Sequence, residues 1–256
     1  MSTFITRRTA LTGLTIGSGA LLGGCDALSN SPEFQALLTN AERGNFAIQR
    51  GLTDRLALAK EFSPEQMSPV FRANGTRVPV GEAYAQHSAA NFVDWRLVID
   101  GMVARPQSLS LAQIKTMPAR TQITRHDCVE GWSAIGKWTG VPLKLLLDLA
   151  GLRTSARYLV FHCADVYGGI GGKPYYESID LIDALHSQTI LAWLLNDAII
   201  PVGNGAPLRL RVERQLGYKH AKYVQRIEAV SDLSHIYGGK GGYWEDDHGY
   251  QWYAGI

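Results

Sequence analysis

Cysteine is scarce in this chain, three in 256 residues, and so few exclude a disulfide-stapled fold. Cys25, Cys128 and Cys163 therefore each need an account of their own. There is no Cys-x-x-Cys-His haem signature and no cysteine set for an iron–sulfur cluster, so electrons must come from elsewhere if the chemistry is redox. Beyond the N-terminal stretch no apolar run reaches the roughly 20 residues of a membrane span. Charge of one sign is lacking too: the net charge is +2, which gives no reason to expect nucleic acid or another polyanion as partner. Internal repeats and low-complexity blocks are absent.

What is present suits one domain of good size, or at most two small ones. Thr6-Arg7-Arg8-Thr9-Ala10-Leu11 resembles a twin-arginine export signal. A mildly apolar, glycine-rich stretch from Ala10 to Gly24 follows, and Leu22-Gly23-Gly24-Cys25 resembles the lipobox of bacterial lipoproteins. Residues 1–24 are thus expected to be a signal peptide, with Cys25 acylated and the protein periplasmic and lipid-anchored. The twin-arginine route carries folded proteins, which suits a chain that must take up a bulky cofactor before export. Residues 25–70 are polar and mixed, with partial helical periodicity from Ala41 to Phe62, and read as a linker or arm. Residues 71–256 read as one domain.

The elements are mixed in type. Trp95–Ile99 alternates and ends at Asp100-Gly101, a strand and turn. Ser110 is placed to cap a short helix over Leu111–Ile114. Pro142 opens and Gly151 closes a helix over Leu143–Leu149. Tyr158–Phe161, Ile190–Leu195, Ile199–Val202, Leu208–Val212 and Val224–Val230 read as strands, and Ser178 or Asp180 caps a helix toward Leu185. Strands and helices do not alternate regularly, so the expected class is α+β, not doubly wound.

The distinctive segment is Arg125-His126-Asp127-Cys128-Val129-Glu130-Gly131-Trp132-Ser133, after a strand at Thr121–Thr124. A glycine-containing loop at a strand end is where rigid scaffolds place functional groups. Arg125 and His126 favour a thiolate at Cys128, and a thiolate suits soft metal–sulfur chemistry. A lone cysteine is nonetheless often a small buried hydrophobe. Together with Trp138-Thr139-Gly140-Val141-Pro142-Leu143, the loop resembles the molybdenum-binding loop of the sulfite-oxidase family, most of all its bacterial periplasmic methionine-sulfoxide-reductase branch. The resemblance runs from about Phe71 to the C-terminus. It implies a sulfite-oxidase-type fold, a molybdenum–molybdopterin cofactor with one molybdopterin per metal, and Cys128 as the metal's protein ligand.

Gly203-Asn204-Gly205-Ala206-Pro207-Leu208-Arg209-Leu210-Arg211-Val212 resembles the family's cofactor-binding turn and strand. The resemblance implies cofactor contacts at Asn204 and Arg209. Strand alternation places Arg209, Arg211 and Glu213 on one face. The cations and backbone N–H groups of Gly217–Lys222 suit a phosphate dianion, and His220, Ala221 and Lys222 match the family's phosphate contacts. Asn74 resembles an asparagine that touches the pterin. Cys163 stands where the related reductases have a threonine near the cofactor, so its role is either a cofactor contact or a structural thiol.

Sulfite-oxidising members carry an arginine-rich stretch after the metal cysteine, whereas this chain has Val129-Glu130-Gly131-Trp132. An acidic Glu130 beside the metal disfavours sulfite by about 1 kcal/mol or more. The expected reaction is oxygen-atom transfer, the reduction of a neutral S-oxide or N-oxide, small or protein-bound. Electrons would come from a separate membrane haem protein or cytochrome. Tyr250, in the aromatic and glycine-rich tail, matches a tyrosine near the metal and is suited to donate a proton; Tyr243, Trp244 and Trp252 are expected only to pack the chain end. Lacking the family's longer C-terminal extension, the chain is expected to be a monomer. Four alternatives stay open: oxidation of a sulfur substrate, a cysteine hydrolase with Cys128 as nucleophile and His126 as base, a zinc site of His126, Cys128, His162 and Cys163, and a non-catalytic binding lipoprotein.

Overall fold

The computed structural model describes residues 29–256. The twin-arginine and lipobox motifs lie outside the described residues. The chain divides into two compact units, with the boundary after Asp54.

In the first unit the described residues are dominated by helix α1 (Pro32–Leu52). Its start is strongly specified: Ser31 accepts a hydrogen bond from the Phe34 N–H, Pro32 occupies the first turn, and Glu33 complements the helix dipole. The helical pattern expected over residues 41–62 therefore begins earlier and stops at Leu52, before extended Thr53.

The second unit, Arg55–Ile256, is α+β and is built on two sheets. The first has the order β2 (Gln107–Ser110), β1 (Arg96–Gly101), β10 (Val224–Val230), β5 (Tyr158–Tyr167), β6 (Lys173–Asp180). Only the β1–β10 pair in it is parallel. The second has the order β3 (Arg120–Asp127), β4 (Ser133–Pro142), β7 (Ile190–Leu195), β8 (Ala198–Ile199), with β9 (Arg209–Arg211) also pairing β7. Short helices complete the unit: α2 (Glu82–Ala89), α3 (Leu111–Lys115), α4 (Leu143–Ala150), α5 (Leu181–Ala184) and α6 (Tyr243–His248).

Helix α4 shows why these residues fold as they do. Pro142 precedes it, Gly151 ends it in the left-handed conformation, and Leu143, Leu146, Leu147 and Ala150 are buried at helical spacing. Each buried leucine contributes about 1.5–3 kcal/mol relative to exposure. Asp180, not Ser178, caps α5 by accepting from the Asp183 N–H at 3.0 Å. Ser178 lies within β6. The strand expected over 199–202 is shorter, because Pro201 leads directly into a 3-10 turn at Val202–Asn204.

The domain boundary expected at residue 71 falls inside the second unit, which begins at Arg55. Backbone pairing explains the difference. The Phe62 N–H donates to the Ile123 carbonyl at 2.9 Å and the Ser68 N–H to the Ile135 carbonyl at 3.0 Å. Gln188 holds both the N–H and the carbonyl of Ala59, at 2.8 and 3.0 Å. Polar composition does not preclude such an edge from joining a domain through its main chain.

Candidate active site

The hairpin between β3 and β4 closes over residues 128–132. The Cys128 N–H donates to the Trp132 carbonyl at 2.9 Å and the Gly131 N–H to the Cys128 carbonyl at 3.0 Å. Gly131 takes φ +82°, which costs glycine nothing. Asp127 clamps the base, accepting from Ser133 Oγ at 2.6 Å and Arg125 Nε at 2.9 Å. This tight loop presents the half-buried thiol of Cys128 to a cleft of about 170 Å³. Asn74 Nδ2 donates to Cys128 Sγ at 3.4 Å.

Glu130 stands exposed at the same loop and accepts from Trp132 Nε1 at 3.1 Å. That bond, then Asn74, holds its carboxyl below the ordinary range, so it is ionised at neutral pH. Arg72 lies 5.4 Å over the Trp132 ring.

The inner wall is cationic and buried. Arg209 is 6% exposed. Burial, then the neighbouring Arg211, pulls it down to about 9. Lys222 is pulled down to about 7 by burial and then by Arg209. Its ammonium donates to the carbonyls of Asn74 at 2.7 Å, Gly203 at 3.0 Å and Thr76, tying the Asn74 loop to the Gly203 turn. His220 lies behind, with Nε2 on the Gln215 carbonyl at 3.0 Å, and burial holds it well below the usual imidazole value.

His126 also lines the cleft. Arg211, fully buried, donates from Nη1 to His126 Nδ1 at 3.1 Å and grips Glu213 with two bonds of 2.9 and 2.6 Å. A guanidinium only donates, so Nδ1 is the unprotonated nitrogen and Nε2 carries the proton. Gly217 leaves room for that ring, since a Cβ there would lie 2.5 Å from His126 Nε2.

The expected site residues therefore divide. Asn74, Cys128, Glu130, Arg209, His220, Lys222 and Tyr250 converge on the cleft. Cys163, Asn204 and Ala221 do not line it. Cys163 packs on the core, its S–H 3.8 Å from the Phe161 carbonyl, and burial pushes its thiol well up. Asn204 is buried and its carbonyl accepts from Arg209 Nη1 at 3.2 Å. The Ala221 side chain is buried, and its carbonyl takes the Leu210 N–H at 2.8 Å.

The cysteine-hydrolase reading loses its base, because His126 Nδ1 is engaged by Arg211 and no hydrogen bond joins His126 to Cys128 among the described residues. The zinc reading is overturned: His162 is bound to Glu228 at 2.9 Å and Arg226 at 3.2 Å. Among the described residues no three His, Cys, Asp or Glu side chains converge on a metal position.

Sequence reasoning missed Asp165, Tyr167, Tyr175 and Tyr218, which all line the cleft. Trp244, expected only to pack the tail, lines it too, stacked on Tyr250 with centroids 5.5 Å apart. Tyr243 stacks on Tyr167 at 4.6 Å, while Trp252 holds the chain end by donating to Ser178 Oγ at 2.8 Å. In the aromatic and glycine-rich tail only Tyr250 carried a signal for the site, and nothing distinguished one tryptophan from another.

Residues 84–237, more than half of the chain, match the family of oxidoreductase molybdopterin binding domains. The chain belongs to this family, that of the sulfite oxidases, and is an oxidoreductase. A family relative in Azospira oryzae, provisionally named protein-methionine-sulfoxide reductase subunit YedZ1, is 35% identical over 246 residues, covering 94% of this chain and 84% of the relative. The sulfane dehydrogenase SoxCD from Paracoccus pantotrophus is similar with a TM-score of 0.49 and 22% identity, over 55% of this chain and 39% of that one.

The residues present fit a molybdopterin. Arg209 Nε and Asn204 Nδ2 are buried donors without a hydrogen-bond partner. Buried polar groups are normally satisfied, and a buried cation without a counter-charge is costly. A phosphorylated pterin supplies the missing anion, and Cys128 supplies a soft donor for its metal.

Proposed function

We propose that this molybdopterin oxidoreductase reduces a neutral S-oxide or N-oxide, small or protein-bound, at a molybdenum held by Cys128 and one molybdopterin. The observation that carries the reading is the pairing of a half-buried, Asn74-bonded thiol with a buried cationic wall of Arg209 and Lys222 in one cleft. When bound, the cofactor supplies two-electron oxygen-atom transfer, and the protein supplies position and electrostatics.

Arg209 and Lys222 hold the phosphate end, with Asn204, the neutral His220 ring and the backbone around Ala221 behind them. Asn74 orients the Cys128 sulfur by its N–H bond. Glu130, ionised at the mouth, repels anionic substrates such as sulfite and admits neutral ones. Tyr250 offers its hydroxyl proton to the oxygen leaving the substrate, its ring set between Tyr218 at 5.2 Å and Trp244. Cys163 serves as a core thiol beneath this wall. The relative's name as a methionine-sulfoxide reductase subunit supports an S-oxide as substrate.

The N-terminal motifs support export by the twin-arginine route, a lipid on Cys25 and a periplasmic reaction. The protein acts there as a monomer, with residues 25–54 carrying it from the anchor and a membrane haem protein or cytochrome delivering electrons. Metal analysis of the natively exported protein beside Cys128→Ser tests the reading. About one molybdenum per chain is expected in the wild type, with oxide-dependent turnover lost in the variant. A folded wild type without molybdenum, from cells that make the cofactor, overturns it.

A further inference from the structure

Helix α1 has no buried residue, yet it is patterned to bury one face. Phe34, Leu37, Leu38, Ala41, Ile48 and Leu52 stand at i, i+3, i+4, i+7, i+14 and i+18, which at about 100° per residue form one stripe roughly 100° wide. Asn45 is the single polar residue within it. On that stripe Leu37, Leu38, Ile48 and Leu52 are 61, 47, 60 and 83% exposed. Arg43 and Arg50 stand on the opposite face. Phe46, which lies off the stripe, is covered by the Arg50 guanidinium at 5.6 Å from its ring centroid. A helix with Gly44 at its middle is marginal in water without an apolar surface to pack on.

The neighbouring sequence says which surface that is. Cys25, the acylation position of the lipobox, precedes Pro32 by seven residue steps. Fully extended at about 3.5 Å per residue, that link spans about 25 Å at most. A lipid on Cys25 therefore keeps the stripe within reach of the bilayer that holds the lipid. Among the described residues no helix is long and apolar enough to cross a membrane, so α1 can lie along the surface but not span it. Glu33 and Glu42 balance Arg43 and Arg50, so apolar burial, not charge, must drive the contact. We propose that α1 lies in the plane of the membrane surface, its Phe34–Leu52 stripe seated at the boundary of headgroups and acyl chains. This rests on the exported, lipid-anchored reading and adds a second attachment, of the kind that makes a lipid anchor stable. It shortens the tether of the catalytic unit from the 30 residue steps between Cys25 and Arg55 to the 3 between Leu52 and Arg55.

The test uses the mature chain, residues 25–256, carrying Cys25→Ser so that neither acyl chain nor signal peptide can hold it. The protein is made in cells that supply the cofactor, and equal pterin content certifies each variant as folded. Flotation is measured with vesicles of phosphatidylcholine alone and with added phosphatidylglycerol, at low and high salt. The chain is expected to float with both, with little effect of salt. Leu38→Glu with Ile48→Glu should lower the bound fraction about tenfold or more, whereas Ala36→Glu, on the opposite face, should leave it unchanged. Absence of flotation with either vesicle overturns the proposal, even if the chain binds membranes that contain other proteins, since α1 would then dock on a protein. Flotation confined to the anionic vesicles and abolished by salt overturns it too, as does an equal loss in Ala36→Glu. The mass of the natively exported protein tests the anchor separately. A native Cys25 without acyl mass defeats the anchor reading, while flotation sensitive to the stripe still upholds α1 as a membrane contact.

Discussion

Asn74 and Cys128, 54 residues apart in the chain, meet at 3.4 Å, the amide of one donating to the sulfur of the other. Lys222 holds the same loop from below by binding the Asn74 carbonyl at 2.7 Å. The thiol's environment is therefore set by a segment that precedes the first strand of either sheet. Partners one shell out from a metal ligand typically matter by ten- to a hundredfold in affinity. Asn74→Ala is accordingly expected to lower molybdenum content by about that factor while leaving the thermal transition near wild type. Wild-type metal content in Asn74→Ala would remove the asparagine from the site.

Gly217 and His126 make a steric pair. A Cβ at 217 would lie 2.5 Å from His126 Nε2 and 2.6 Å from Cε1. The ring cannot easily yield, being held by Arg211 on its far nitrogen and set against His220 with centroids at 5.0 Å. Gly217→Ala is expected to destabilise by about 1–3 kcal/mol, as overpacking does. Adding His126→Ala should recover most of the steric part, so the cycle of four proteins in urea reads the contact itself. Additive losses in the double variant would show that the pair does not clash.

How much of this was legible in the sequence depends on how each residue does its work. Cys128, Asn204, Arg209 and the Gly217–Lys222 segment carry short, distinctive spacings, and the fold brings most of their side chains to one cleft. Asp165 had no such signal: a single acid in an aromatic strand reads as surface until the β5 bulge turns it inward. Residues 55–70 join the domain through main-chain bonds, to which composition is blind. Cys163 falls at the expected position, yet its side chain packs on the core, because alternation along a strand determines direction only where the register is unbroken.

The buried wall makes a pH prediction. Lys222 titrates at about 7 in the folded protein, against about 10.4 in an unfolded chain. Between those values the unfolded state binds more protons, so stability rises with pH. The penalty for burying the charge is full below pH 7 and is relieved above it. From pH 7 to about 8, where most unfolded cysteine is still protonated, the cofactor-free protein should gain about 1 kcal/mol per unit. Lys222→Met should flatten that slope, and so should a bound phosphate dianion, which restores the charged lysine. Denaturant midpoints at the two pH values measure it; a slope unchanged in Lys222→Met would reject the assignment.

Lys219 is wholly buried between Glu177 at 2.5 Å and Glu245 at 2.8 Å, one cation between two acids. Burial, then Glu245, pushes the Glu177 carboxyl well up, so the cluster is relieved by a proton held there. Glu245 lies in the first turn of α6, and the cluster thereby fastens the C-terminal tail to β6 and to the turn that precedes His220. Lys219→Met strips both acids of their partner and should cost about 3–5 kcal/mol, as breaking a buried pair does. Glu245→Gln leaves one cation with one anion and should change stability by less than about 1 kcal/mol. Equal losses in the two variants would argue that shape, not charge balance, holds the tail.

The tail's own contribution to chemistry is the hydroxyl of Tyr250, at the cleft edge with its ring packed on Trp244 and Tyr218. Phenylalanine keeps both ring contacts and removes only the proton donor. Tyr250→Phe is therefore expected to retain molybdenum and pterin fully while oxide turnover falls about a hundredfold, the usual scale of a lost general acid. The loss should lie in kcat, since the ring that shapes the cleft is intact. A loss confined to KM would make Tyr250 a binding residue. Unchanged turnover would mean that water supplies the proton, and Tyr250 would then share the packing role of Tyr243.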